Sequence, residues 1–326
     1  MEKKLSIEMP PIETYQGSSF ILGIVLANEN IRNAFYNNYY NLVCNDTERI
    51  EEVKLQFTNV LWEEYRRNGL AEMDLYFLKN IAKEKCVDFL KERIEQGNYL
   101  LLYQIDEFCL SYSSNYKKKH FIHDTYVYGY SDTSFFVMAY KEKKLQLLEV
   151  LTEEIVEGMY SALASDPDTN FCTFRPFHYA MVQPDYKKMK EELKLFMDGS
   201  GRGKNGLVYG EQIYAVIEKC ILAMINQRLD MYSKHLDLRV FRVLWEHKKV
   251  MRLHVVKVGE RKTVENKNMD ELEEIEHIAH NTFLLAMKYN ITKKESILYD
   301  ILEHISEIRR REKPVIVSFY ELLSMC

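Results

Sequence analysis

Apolar and polar positions change period several times along the chain. A short apolar stretch from Phe20 follows the extended lead-in Met9-Pro10-Pro11, and Ser18 or Ser19 is placed to cap a helix running to about Leu26. Residues 30–42 predict a second helix. Residues 70–96 space their apolar side chains near 3.6, which predicts a helix closed by Gly97-Asn98. The run Tyr99-Leu100-Leu101-Leu102-Tyr103-Gln104-Ile105 then reads as a buried strand, and 107–112 continue extended. Residues 121–130, 134–140 and 144–150 predict an antiparallel meander, joined by Ser131-Asp132-Thr133 and Lys141-Glu142-Lys143. Thr152-Glu153-Glu154 opens another helix with threonine as its cap, and 171–177 read as a last strand. Beyond residue 185 the pattern is helical, over 186–196, 210–228, 236–257, 269–289 and 293–311, with Pro314 ending the last helix. The pattern predicts an α+β fold over 1–184, with helices packed on an antiparallel sheet, and an appended helical domain over 185–326.

Composition narrows the function classes. The 326 residues carry 47% hydrophobic and 29% charged side chains, ordinary for a globular chain with a sizeable core. The net charge of -5 argues against nucleic acid as a partner. No apolar run approaches the ~20 residues of a membrane span, and the start Met1-Glu2-Lys3-Lys4 turns to charge before any apolar run forms, so a cytoplasmic protein is expected. The six cysteines are scattered without a CxxC pair, which fits reduced thiols rather than disulfides or a zinc site. Twenty-three tyrosines suit either amphipathic pockets or plain compositional bias.

Candidate chemistry gathers on His123-Asp124-Thr125-Tyr126-Val127-Tyr128-Gly129-Tyr130, a histidine at the start of an alternating strand. Thiol acyl transfer needs a nucleophile at a helix start, where the dipole favours an anion, and a histidine base on a facing strand. Thr14-Tyr15-Gln16-Gly17-Ser18-Ser19-Phe20 is such a helix start. Together with Glu95-Gln96-Gly97-Asn98 leading into Leu100-Leu101-Leu102 and Ile105-Asp106-Glu107, the His123 segment resembles the papain-like proteins related to the N-terminal domain of the butirosin biosynthesis H acyltransferase. More distantly it is similar to bacteriocin-processing cysteine peptidases. Residues 238–242 and 246–251 are similar to the helical part of such proteins.

The resemblance implies a papain-like core and acyl or amide-bond transfer from a carrier-protein thioester in specialised-metabolite biosynthesis. Its partners would be an acyl or peptidyl carrier protein and a small amine or acyl substrate, with no cofactor. The chain departs from that pattern twice: Gly17 stands at the nucleophile position, and Ala139 where the acid that orients the histidine should be. Ser18 or Ser19 is then either a substitute nucleophile or a helix cap. His123 is either a general base or a structural histidine. The alternative function is a catalytically degenerate scaffold or partner-binding protein of the same pathway, its cleft filled by Tyr15 or Tyr126. A third reading is a small-molecule binding module, with an open tyrosine-lined pocket and no ionisable pair.

Other motifs weigh less. Glu274, His277 and His280 share one helix face, as metal ligands or as ordinary exposed polar residues; with no HExxH or remote partner, no metal site is assigned. The Gly199–Gly206 loop fails the GxxxxGK[ST] test, because Asp198 and Asn205 stand where Gly and Ser/Thr are needed; a mobile loop or lid is expected there. Lys117-Lys118-Lys119 and Arg309-Arg310-Arg311 would dock an acidic carrier or are solvated charge.

Overall fold

A computed structural model describes residues 2–58, 68–201, 206–226, 235–259 and 266–325. In chain order the elements used below are β1 (Lys3–Lys4), α1 (Gln16–Ala27), α2 (Asn33–Tyr36), β2 (Leu42–Asn45), β3 (Gln56–Phe57), β4 (Ala71–Phe77), α3 (Lys83–Glu95), β5 (Tyr99–Asp106), β6 (Ile122–Tyr130), β7 (Ser134–Lys141), β8 (Lys144–Leu151), α4 (Thr152–Ser165) and β9 (Asn170–Pro176). They continue as α5 (Tyr186–Met197), β10 (Leu207–Tyr209), α6 (Ile213–Ile225), α7 (Leu238–Gly259), α8 (Asn266–Thr292) and α9 (Ser296–Ser324). The chain divides into two compact units, Met1–Arg32 with Leu61–Val182, and Asn33–Val60 with Gln183–Cys326. The divide near residue 184 therefore has one exception, a segment around α2, β2 and β3 that packs with the C-terminal helices. No helix among the described residues is long and apolar enough to cross a membrane.

The first unit is α+β. Its antiparallel sheet runs β4-β9-β5-β6-β7-β8, with β1 added beside β6. One face packs Cys86, Leu90 and Ile94 of α3 and Ile155 and Met159 of α4 against Leu100, Leu102, Ile105, Val127, Val137 and Ala139. The numbering Leu100, Leu102, Ile105 breaks strict alternation because β5 carries a register shift between Leu102 and Ile105. A second shift between Val127 and Gly129 lets Val127 and Tyr130 reach the same core. Each shift restores the apolar face that a plain period of two would lose. The other face takes α1, whose Phe20 stacks on Tyr126 with centroids 4.9 Å apart.

Several elements differ from the pattern reading. Residues 70–96 are not one helix: Ala71, Met73, Leu75 and Phe77 alternate with polar neighbours and pair along all of β9, and only α3 beyond them is helical. Gly97, at φ +85°, closes α3 as expected. Residues 107–112 coil into a 3-10 turn over Glu107–Cys109 instead of running extended. Residues 30–42 hold only the short α2, because the chain turns through Tyr39 at φ +66° into β2. Neither α1 nor α4 has a side-chain cap: Ser18 and Ser19 lie inside the first turn of α1, and Thr152 inside α4. Pro314 lies within α9, which continues to Ser324 and buries Val315, Ile316, Phe319 and Leu323. That burial, worth ~1.5–3 kcal/mol per large side chain, offsets a proline cost of ~3 kcal/mol. Residues 202–205 of the glycine-rich loop lie outside the described residues.

The second unit packs α5–α9 with a small sheet ordered β10-β2-β3. Its centre holds a buried cation. The Lys248 ammonium, wholly buried, donates to Glu312 at 2.6 Å and to the Tyr214 hydroxyl at 2.6 Å. It also lies 3.0 Å from His247 Nδ1, while His247 Nε2 lies 2.9 Å from the Tyr40 carbonyl. Burial, and then the Lys248 charge, hold His247 well below the usual range, so its neutral ring donates from Nε2 and accepts at Nδ1. The network ties α6, α7 and α9 together. Lys248→Met should destabilise the protein by ~3–5 kcal/mol, because it strands the Glu312 carboxylate. Lys248→Met with Glu312→Leu should recover most of that loss, as read by chemical denaturation followed by circular dichroism.

Candidate functional site

The site grows from the junction of β5 and β6, where two acids at the end of one strand meet two histidines at the start of the next. Asp106 is buried and accepts from Ser161 Oγ at 2.7 Å and from the Phe108 and Phe121 amides at 3.1 Å each. His120 Nδ1 lies 2.6 Å from Oδ2, the oxygen that also accepts from Ser161. Burial alone would raise the Asp106 carboxyl, but His120, Ser161 and the two amides hold it below the usual range. The exposed His120 ring stacks on Phe108 at 4.3 Å.

Glu107 makes the second pair. It accepts from Ser113 Oγ at 2.6 Å and Asn115 Nδ2 at 2.7 Å and lies 3.3 Å from His123 Nδ1. Burial pushes the Glu107 carboxyl up, but His123, Ser113 and Asn115 outweigh it and lower it overall. His123 therefore has an orienting acid after all, supplied by the turn after β5. Ala139 cannot take that part: it is buried in the core beneath α3 and α4. The other ring nitrogen of His123, Nε2, is 3.4 Å from Asp124 Oδ1, and the ring stacks on Phe121. The Glu107 contact raises the His123 pKa, burial opposes it, and Asp124 adds to it.

The pleat of β6 sends Asp124 and Tyr126 toward the start of α1 and His123 the other way. Tyr126 donates a short hydrogen bond to Asp124 Oδ2. Gln16 Nε2 donates to the Asp124 carbonyl at 3.2 Å and the Met138 carbonyl at 3.3 Å, pinning the first turn of α1 to β6 and β7. A Cβ on Gly17 would lie 2.8 Å from the Tyr126 hydroxyl. The position expected to hold a nucleophile is thus occupied from across the cleft by a tyrosine. Pattern reasoning had Tyr126 as one of two residues that might fill this cleft. It missed Asp124, whose signal was its even spacing from Tyr126.

The two serines separate. Ser19 is fully buried and donates to the Tyr15 carbonyl at 2.9 Å. Ser18 lines a cavity of about 360 Å³ together with Gly17, Leu101 and Tyr103 of β5, Tyr126 and Cys172 of β9. No hydrogen bond joins either serine to His123, whose two ring nitrogens both face carboxylates. Among the cysteines, Cys44 is buried in β2, its thiol pushed up to about 12 by burial. Cys172 is the thiol in the cavity, and burial raises it too despite a hydrogen bond with Tyr103. A nucleophilic cysteine needs the opposite shift. His280 packs on Trp245 at 4.4 Å, and no metal-holding group of three or more His, Cys, Asp or Glu is present among the described residues.

No protein-family model matches this chain, and no curated protein matches it at a significant level.

Two outcomes test this geometry. Gly17→Ala should destabilise by ~1–3 kcal/mol through overpacking against Tyr126. Tyr126→Phe should relieve the clash, so a double-mutant cycle by denaturation should give a coupling of at least ~0.5 kcal/mol. For His123, a raised folded-state pKa means that the protonated ring favours the folded chain. That stability is complete below the unfolded-state value of about 6.5 and is lost as pH rises through the higher folded-state value. Titration of the ring by NMR should place its midpoint above 6.5, the ordinary histidine value, and Glu107→Gln should lower it.

Proposed function

We propose that the first unit is a papain-like domain whose catalytic position is closed. In this reading the protein is a partner-binding component of carrier-protein acyl chemistry in specialised-metabolite biosynthesis, and does not itself catalyse the transfer. One observation carries the reading: the Tyr126 hydroxyl, held by Asp124, lies 2.8 Å from where the Cβ of a side chain on Gly17 would be. A side chain at position 17 and Tyr126 in its present place crowd each other, so one of them must shift. Two further facts agree. The cavity thiol, Cys172, is raised rather than activated. His123 lies between two carboxylates that keep it protonated to higher pH, which lowers the share of free base near neutrality.

The turn bearing Lys117, Lys118 and Lys119 is exposed and suits an acidic carrier surface. Arg311, by contrast, is already paired with Glu271 and Glu307. A second reading, acyl or amide transfer with His123 as base and Ser18 or Ser19 nearby, draws support from Glu107 holding His123 Nδ1. Incubation with an acyl-loaded carrier and a panel of amines separates the two. We expect salt-sensitive carrier binding that weakens when Lys117, Lys118 and Lys119 become Glu, and no amide product. Turnover that falls ~10²–10⁴-fold in His123→Ala would establish the second reading instead. Absence of both binding and turnover would overturn both readings.

A further inference from the structure

Among the described residues, the sheet face beneath α1 is only partly covered. Strand registers align one row of side chains across it: Leu75 opposite Cys172, Cys172 opposite Leu101, Leu101 opposite Tyr126 and Tyr126 opposite Met138. Helix α1 seals the Tyr126 and Met138 end, through the Phe20 stack and the approach of Gly23, on which a Cβ would lie 3.3 Å from Met138 Cε. At the other end Leu75 remains 55% exposed. Between these ends, under the first turn of α1, lies the 360 Å³ cavity. Its size falls within the ~300–1,000 Å³ of small-molecule sites.

The lining has a distinct chemistry. Leu101 of the sheet and Ile21 of α1 give it apolar walls, Tyr15, Tyr103 and Tyr126 give it aromatic ones, and the Ser18 hydroxyl adds a hydrogen-bonding group. Among the described residues no Lys, Arg or His lines it, and no carboxylate does. The nearby Asp124 carboxylate is engaged by the Tyr126 hydroxyl. Burial raises the Tyr103 phenol and the Cys172 thiol, so both stay uncharged near neutral pH. A charged ligand would lose its hydration here and meet no counter-charge. A flat, uncharged ring would keep its faces on tyrosine and leucine and its polar group on Ser18.

We infer that this cavity is a binding site for a small uncharged molecule with a planar aromatic or amide body and one hydrogen-bonding group. The inference stands apart from carrier docking, since it uses neither the lysine turn nor a macromolecule.

Three probes of nearly one shape and different charge test it: benzamide, benzoate and benzamidine. Ligand-observed NMR on the full chain should show benzamide binding at millimolar concentration, at least ~10-fold more tightly than either charged analogue, the ratio for a difference of 1.4 kcal/mol. Cys172→Phe, which fills the cavity, and Ser18→Tyr, which closes its rim from a half-buried helix position, should each abolish that binding. Ser18→Tyr carries the test if Cys172→Phe fails to fold. Bound benzamide should also slow alkylation of Cys172 by the neutral reagent N-ethylmaleimide. Benzoate or benzamidine binding as tightly as benzamide, binding that survives Ser18→Tyr, or no benzamide binding would each overturn the inference.

Discussion

The approach of the first turn of α1 to strand β6 governs the first unit. Because Gly17 has no Cβ, the helix backbone comes close enough for Gln16 to reach two carbonyls on β6 and β7 and for Phe20 to stack on Tyr126. These contacts set the height of the helix above the sheet. Moving α1 outward by the width of one methyl group would strain both hydrogen bonds and open the stack, in an interior that tolerates few voids. The same approach decides the chemistry. It brings a phenol and a carboxylate, not a thiol and an imidazole, to the helix start.

The two units handle charge in opposite ways. At the β5–β6 junction the acids and histidines sit at strand ends, where Asp106 and Glu107 each collect several donors and the histidine rings keep one edge toward solvent. Charge is stabilised there by many short contacts and partial hydration. In the second unit Lys248 is wholly buried, and its charge is tolerable only because Glu312, Tyr214 and His247 fill its three donor directions. Such a cation has no route to a substrate. It fixes how three helices meet, a structural use of a group that is reactive elsewhere.

The fold was legible where period and punctuation agreed. The meander β6–β7–β8, the buried strand β5 and the end of α3 at Gly97 all follow from alternation, apolar runs and a glycine stop. The strand β4 was hidden because its residues are good helix formers. Its alternation of Ala71, Met73, Leu75 and Phe77 outweighs that preference only once β9 supplies a partner. The continuation of α9 through Pro314 was hidden for a similar reason: local preference favours a stop, and tertiary burial overrides it. At the site, His123 was legible as a residue but not as a geometry. Its acid comes from Glu107 in a 3-10 turn that no period reveals, and the bulge in β5 aims that turn.

The tight contact at Gly17 and the cavity beside it are two sides of one packing arrangement. Helix α1 lies low over β6 where Gly17 and Tyr126 meet, and the cavity lies beside that contact, toward β5 and β9. A side chain on Gly17 would press on the Tyr126 hydroxyl, so either α1 lifts from its Gln16 tethers or Tyr126 moves from Asp124. Either shift would change the shape of the cavity beside it. By the same reasoning, an occupant of the cavity presses on Tyr103 and Tyr126 and helps to hold the latter against Asp124 and Gly17. Occupancy and the packing of Tyr126 against Gly17 are then coupled in the same direction, since each favours the position of α1 that the other needs.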